Sequence, residues 1–204
     1  CRTSASDPLA SESLLGRCLT PDHFARYAYQ EVPLLANQVG ALAKSLPDFV
    51  AKLYVTAFTY EETSQDETAI GSSRILALRS TRRQDYETGR YILEQAFPTF
   101  LRHRPRHALE ACLDVLDQIA DRRGRREDLR YPFQFMGHEA HLEQDASDGW
   151  DLGSAREGEG LRLLDALMAY LADVAQLASP QLLLGELLDI VAARTMHAIV
   201  WRRL

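Results

Sequence analysis

Apolar residues recur at helical spacing along most of the chain, and prolines mark where the pattern restarts. Asp7-Pro8 is a start signal, and a first helix is predicted over residues 8–19. Thr20-Pro21 opens a second that reaches Glu31. Pro33 then breaks or kinks the pattern, because proline removes a backbone donor and clashes with the preceding turn. Helix resumes through Leu34, Leu35, Val39, Leu42 and Ala43 to Leu46, and Pro47 starts another carrying Phe49, Val50, Leu53, Tyr54, Ala57 and Phe58. After a long polar stretch, residues 82–97 read as a helix with Tyr86, Leu93, Ala96 and Phe97 on one face. Pro98 and Pro105 punctuate a short turn that carries Phe100 and Leu101.

The next helix, 106–122, is apolar at Ala108, Cys112, Val115, Leu116 and Ile119 and polar at Glu110, Asp114, Asp117 and Gln118, with Gly124 as its C-cap. From Arg125 to Glu157 the periodicity fails. It returns near Gly158 with a stripe of Leu161, Leu164, Leu167, Met168, Leu171 and Val174. Ser179-Pro180 then opens a last helix, apolar on most sides and so expected to pack on more than one face. No strand-like alternation persists. The expected class is all-α: stacked antiparallel helical hairpins, an α-solenoid of the HEAT or armadillo kind, with two long loops. An irregular helical bundle is the alternative, since no repeat of fixed period emerges.

Composition narrows the function classes. With 46% hydrophobic and 25% charged residues the chain has ordinary globular values. A formal net charge of -6 argues against general electrostatic binding to nucleic acid. Lys44 and Lys52 are the only lysines, so arginine supplies nearly all the positive charge. Cys1, Cys18 and Cys112 are widely spaced and form no Cys-x-x-Cys pair, so neither a disulfide framework nor a zinc site can be read from them. That usage suits a reducing cytoplasm, and no apolar run reaches the roughly 18 residues needed to span a bilayer. Residues 1–204 read as a single helical-repeat segment of a longer polypeptide: the chain starts at Cys1 without a methionine and stops at Leu204 inside an apolar helical pattern.

The chemistry on offer is sparse. There is no Gly-x-x-x-x-Gly-Lys-Ser/Thr phosphate loop and no Gly-x-Ser-x-Gly elbow. His138 and His141 would share a face if they lay on a helix, with Glu143 or Asp145 as an oxygen ligand. The metalloprotease spacing would put a histidine where Leu142 stands, and a solvated polar loop is the simpler reading. Arg122, Arg123, Arg125, Arg126 and Arg130 could meet phosphates, but they equally suit a helix C-terminus or the acids that follow them. The segment 61–80 is the most distinctive. Glu61, Glu62, Asp66 and Glu67 precede Arg74, Arg79, Arg82 and Arg83, with Asp85 close behind and Ile75, Leu76 and Leu78 between. An ordered charge network with an apolar anchor, its base beside Tyr86 and Tyr91, makes a surface for a partner or ligand.

At Tyr60-Glu-Glu-Thr-Ser, Ser73-Arg-Ile-Leu-Ala-Leu, Thr81-Arg-Arg-Gln-Asp-Tyr-Glu and Ala96-Phe-Pro-Thr-Phe-Leu the chain resembles the helical region of large bacterial STAND-type NTPases, the class that includes AVAST anti-phage sensors. The resemblance spans residues 46–119, about a third of the chain. It implies a parent protein with an effector, a central P-loop NTPase and a long helical sensor. ATP chemistry would then lie elsewhere in the parent, because the Walker motifs are absent here. On this reading the chain is a non-enzymatic cytoplasmic scaffold or sensor segment with no cofactor or metal of its own. Its partner would be a protein or a neighbouring domain, not nucleic acid or membrane. The alternatives are a stand-alone metal-dependent helical enzyme using Glu61, Glu62, His138 and His141, and a basic-loop nucleic-acid module using residues 122–130.

Overall fold

The computed structural model describes residues 7–64, 81–122, 130–143, 147, 160–177, 181–194 and 197–204. The fold is all-α, with one small hairpin among the described residues, and the chain divides into two compact units, Cys1–Arg104 and Pro105–Leu204.

The first unit contains α1 (Pro8–Gly16), a 3-10 turn (Arg17–Leu19), α2 (Pro21–Ala36), α3 (Val39–Ser45), α4 (Pro47–Thr59) and α5 (Thr81–His103). Its helix starts follow the local signals. The Asp7 carboxylate accepts the Ala10 N–H at 3.1 Å, and proline occupies the first turn of α1, α2 and α4. Two internal prolines behave differently from the sequence expectation. Helix α2 runs through Pro33 to Ala36, and α5 runs through Pro98 to His103, so the turn expected around Phe100 and Leu101 is helix. Buried side chains explain both. Val32, Leu35 and Ala36 flank Pro33, while Phe97, Phe100 and Leu101 flank Pro98, and all are essentially shielded from water. Only a continuous helix keeps each set on one face, and burying several large side chains at about 1.5–3 kcal/mol apiece outweighs the roughly 3 kcal/mol a proline costs inside a helix.

Helices α2 and α5 form the most extensive helix pair of this unit. They come close together at Gly89. A β-carbon built there would lie 2.9 Å from both Cδ and N of Pro33, closer than real contacts allow. Gly89→Ala should therefore push the two helices apart and destabilise the unit by about 2 kcal/mol, as overpacking does. Chemical denaturation measures it, and a neutral or stabilising change, as an ordinary helix glycine would give, would mean that the helices are not in contact there. At the end of α3 the Arg104 guanidinium donates to the carbonyls of Ala43 at 3.2 Å and Lys44 at 2.8 Å, satisfying acceptors that a helix C-terminus leaves open.

The second unit contains α6 (Pro105–Arg122), strands β1 (Arg130–Phe135) and β2 (His138–Glu143), α7 (Leu161–Ala175), α8 (Gln181–Arg194) and α9 (Ala198–Arg203). All five predicted apolar positions of α6 are buried. In α7 the stripe is buried at Leu161, Leu164, Leu167, Leu171 and Val174, while Met168 is half-buried. Where one last helix was expected there are two. Fully buried His197 sits at the start of α9, its Nε2 2.6 Å from Asp117 Oδ1, and the Ser147 hydroxyl accepts the Ile199 N–H at 2.9 Å. Arg194 pairs with Asp114 and Arg203 with Asp165.

The hairpin corrects the expectation that residues 125–157 lack regular structure. Strands β1 and β2 pair antiparallel with Arg130 opposite Glu143 and Phe135 opposite His138. Met136 and Gly137 both have positive φ, 51° and 86°, which suits a tight two-residue turn. Such turns are usually announced by Asn-Gly or Asp-Gly, and methionine at the first position gives no such signal. Phe133 and Phe135 pack edge-on against Trp201 at 4.8 and 5.1 Å. That contact gives a lone two-stranded ribbon the apolar backing it needs.

No helix among the described residues is long and apolar enough to cross a membrane.

Candidate functional site

The described residues on either side of 65–80 meet beside α2. Residues leaving α4 place Glu62 in a buried position, 6% exposed, although the neighbouring Glu61 faces solvent. Arg82, in the first turn of α5, holds Nη2 3.7 Å from Glu62 Oε2. The same nitrogen donates to the carbonyl of Ala25 at 3.0 Å, and the guanidinium lies 4.7 Å over the Tyr29 ring. The other carboxylate oxygen of Glu62 accepts the Ser64 N–H at 2.9 Å, folding the chain back on itself just after the buried acid. One ion pair thus ties the exit of α4, the entry of α5 and the backbone of α2.

Aromatic rings floor this clamp. Phe24, Tyr60 and Tyr86 meet edge to face, with centroids 5.3 to 6.2 Å apart. The buried Tyr86 hydroxyl donates to the Ala57 carbonyl at 2.6 Å. Burial, then the Glu62 carboxylate, push the Tyr60 phenol above its ordinary value, with Arg82 opposing. Tyr60 therefore stays a neutral phenol. Nearby, Arg90 lies 4.9 Å over the Phe58 ring.

Of the residues singled out in the sequence, Glu62 and Arg82 come together. Arg83 pairs one helical turn on with Glu87 at 3.5 Å, and Glu61 and Asp85 are exposed. Asp66, Arg74 and Arg79, with the apolar anchors Ile75, Leu76 and Leu78, lie outside the described residues. Tyr86 is at the base of the segment as expected, but Tyr91 is 54% exposed. Five residues on from Tyr86, it is rotated by more than a third of a turn from the buried face.

The histidine and arginine alternatives change character. Residues 138 and 141 lie on a strand, so the helical face they were to share does not form, and His141 is 3.4 Å from Glu139. Glu61 and Glu62 belong to the first unit and residues 138 and 141 to the second. Arg130 pairs with buried Glu143 at 3.0 Å, as the reading in which the arginines meet following acids required. Arg123, Arg125, Arg126 and Asp145 lie outside the described residues.

A second cluster was not anticipated. Cys18 in the 3-10 turn and His23 and Glu31 in α2 place their ligand atoms within 4.8 Å of one another, and it is the one group of three such side chains among the described residues. His23 Nε2 is 2.9 Å from each Glu31 carboxylate oxygen, and its ring tilts against Tyr27 at 4.8 Å. Burial, then the charge and hydrogen bond of Glu31, raise the Cys18 thiol above its ordinary value, while nearby Arg17 lowers it. Cys112, by contrast, is wholly buried in α6, and burial pushes its thiol far up; it packs as a small hydrophobe. The spacing Cys-x4-His-x7-Glu belongs to no common ligand pattern, and only the reach of His23 and Glu31 toward each other along α2 brings the three together.

Compared with protein-family models, curated proteins and solved structures, the chain matches none.

Proposed function

We propose that this chain is a non-enzymatic helical scaffold and sensor segment of a large bacterial ATP-binding protein of the STAND type. In it the 61–80 segment is the element that docks a protein partner or a neighbouring domain of the parent. The observation that carries the docking role is the Glu62–Arg82 clamp. It draws together the residues that flank a long charged segment before any partner arrives. Fixing the ends beforehand reduces the ordering entropy that docking would otherwise cost. Exposed Glu61 and Asp85 flank the clamp and offer charge to a partner. The placement in an ATP-binding parent rests on the resemblance over residues 46–119 and on the lack of a phosphate loop in this chain.

Two measurements test this. Calorimetry with Mg-ATP on the 204-residue chain should give no stoichiometric binding, since phosphoryl transfer depends on groups that position phosphates and Mg²⁺. Saturable nucleotide binding would overturn the non-enzymatic assignment. Amide exchange should show protection across 61–80 comparable to that of the adjoining helix ends, whereas exchange at the rate of an unstructured peptide would remove the docking surface. The adjoining coding sequence should encode a Gly-x-x-x-x-Gly-Lys-Ser/Thr loop, and its absence from the whole reading frame would end the assignment to an ATP-binding parent.

A further inference from the structure

We propose that Cys18, His23 and Glu31 form a binding site for a divalent zinc-class cation, stapling the 3-10 turn Arg17–Leu19 to α2. The three side chains supply one sulfur, one imidazole nitrogen and one carboxylate oxygen, the donor types that zinc takes. Their ligand atoms already lie within 4.8 Å of one another. In a tetrahedral zinc site donors stand about 3.5 Å apart. A modest rotation of three half-buried side chains therefore closes the site without moving a helix.

Both oxygens of Glu31 face the same nitrogen of His23, and the Cys18 sulfur lies within 4.8 Å of these atoms. A divalent cation would sit between these three donor atoms. The thiol proton leaves to solvent, and the imidazole carries its remaining hydrogen on Nδ1. Thiolate and carboxylate then balance the two positive charges, so the filled site is neutral. The fourth position is open to solvent, since His23 also lines a depression of about 350 Å³ with Arg17, Thr20, Asp22, Arg26 and Tyr27. A three-ligand site with one open position holds metal less firmly than a closed four-ligand one.

The test uses the whole 204-residue chain, freed of metal with a chelator and titrated with zinc and with cobalt. One zinc per chain should bind, and cobalt should give a visible spectrum with a thiolate-to-metal charge-transfer band. Cys18→Ser should abolish that band, and His23→Gln and Glu31→Gln should each weaken zinc binding at least about tenfold. His141→Gln should leave it unchanged. Circular dichroism would establish that each variant is folded. A readout on the unaltered chain does not depend on the variants: zinc should protect Cys18, but not the already shielded Cys112, from alkylation mapped by mass spectrometry. Failure to bind zinc stoichiometrically, a cobalt spectrum without the thiolate band, or alkylation of Cys18 at the same rate with and without zinc would each overturn the proposal. So would zinc binding that survives Cys18→Ser but is lost in His141→Gln, which would put the metal on the hairpin.

Discussion

Phe100→Ala is expected to destabilise the first compact unit by about 3–5 kcal/mol, the usual cost of emptying a buried phenylalanine site. Phe100 is fully buried and stacks on Tyr54 with ring centroids 5.6 Å apart and planes 10° from parallel. Phe97 meets Tyr54 edge-on at 5.2 Å, and Phe58 stacks against it at 6.2 Å. The cluster cannot easily close over a cavity, because its central ring is pinned at the far end. The Tyr54 hydroxyl donates to the Leu93 carbonyl at 2.8 Å. Moving Tyr54 into the space left by Phe100 would break that bond among fully buried side chains. Phe100→Leu, which keeps most of the volume, should cost distinctly less. Denaturant unfolding of the two variants checks both statements. A loss below about 0.5 kcal/mol for the alanine variant, within the range of ordinary surface substitutions, would place Phe100 in an exposed turn after Pro98.

That result would also decide between two ways of reading a proline. Prolines at the first turns of α1, α2 and α4 were legible because there the missing N–H has no intrahelical acceptor to satisfy. The helix continues through Pro33 and Pro98 although Pro33 was expected to break or kink it and Pro98 to mark a turn, because a proline's local cost is visible in the sequence and its tertiary compensation is not. Pro33 fits against Gly89, more than fifty residues later, and no window of local periodicity contains both. The hairpin was hidden for a related reason. The alternation in Arg130–Phe135 covers six residues, includes Pro132 and turns on Met136, while the partner of its apolar face is Trp201.

Site residues divide along the same line. Glu62 and Arg82 were visible as acid and base at the two ends of one segment, so their meeting needed only that the segment close. Nothing in the order of residues separated Glu62 from Glu61, and burial alone distinguishes them. The Cys18, His23 and Glu31 group was invisible because a half-helical turn and a helix supply its donors at unfamiliar spacing. Its geometry depends on side-chain reach rather than on register.

Arg82→Leu should cost about 3 kcal/mol, the low end of what is lost when one partner of a buried ion pair is removed. The low end applies because the pair is only half shielded. The side chain of Glu62 is 5% exposed, but that of Arg82 is 31% exposed, and the 3.7 Å separation is longer than a direct charge-assisted hydrogen bond. Three effects add. Glu62 keeps its burial and loses its cation, the Ala25 carbonyl loses a donor, and the Tyr29 ring loses the guanidinium above it. Adding Glu62→Leu to Arg82→Leu should restore at least about 1 kcal/mol, because an apolar pair of similar volume carries no desolvated charge. Such recovery in a double-mutant cycle measures the clamp itself, whereas lost packing alone would make the two substitutions additive. Amide exchange at residues 61–64 should rise in Arg82→Leu and fall back only part of the way in the double variant, since leucines restore the burial but not the Ser64 hydrogen bond to Glu62. A loss below about 0.5 kcal/mol for Arg82→Leu would identify the pair as a solvated surface contact. The ends of the 61–80 segment would then be unfastened, and the docking role would lose the observation on which it stands.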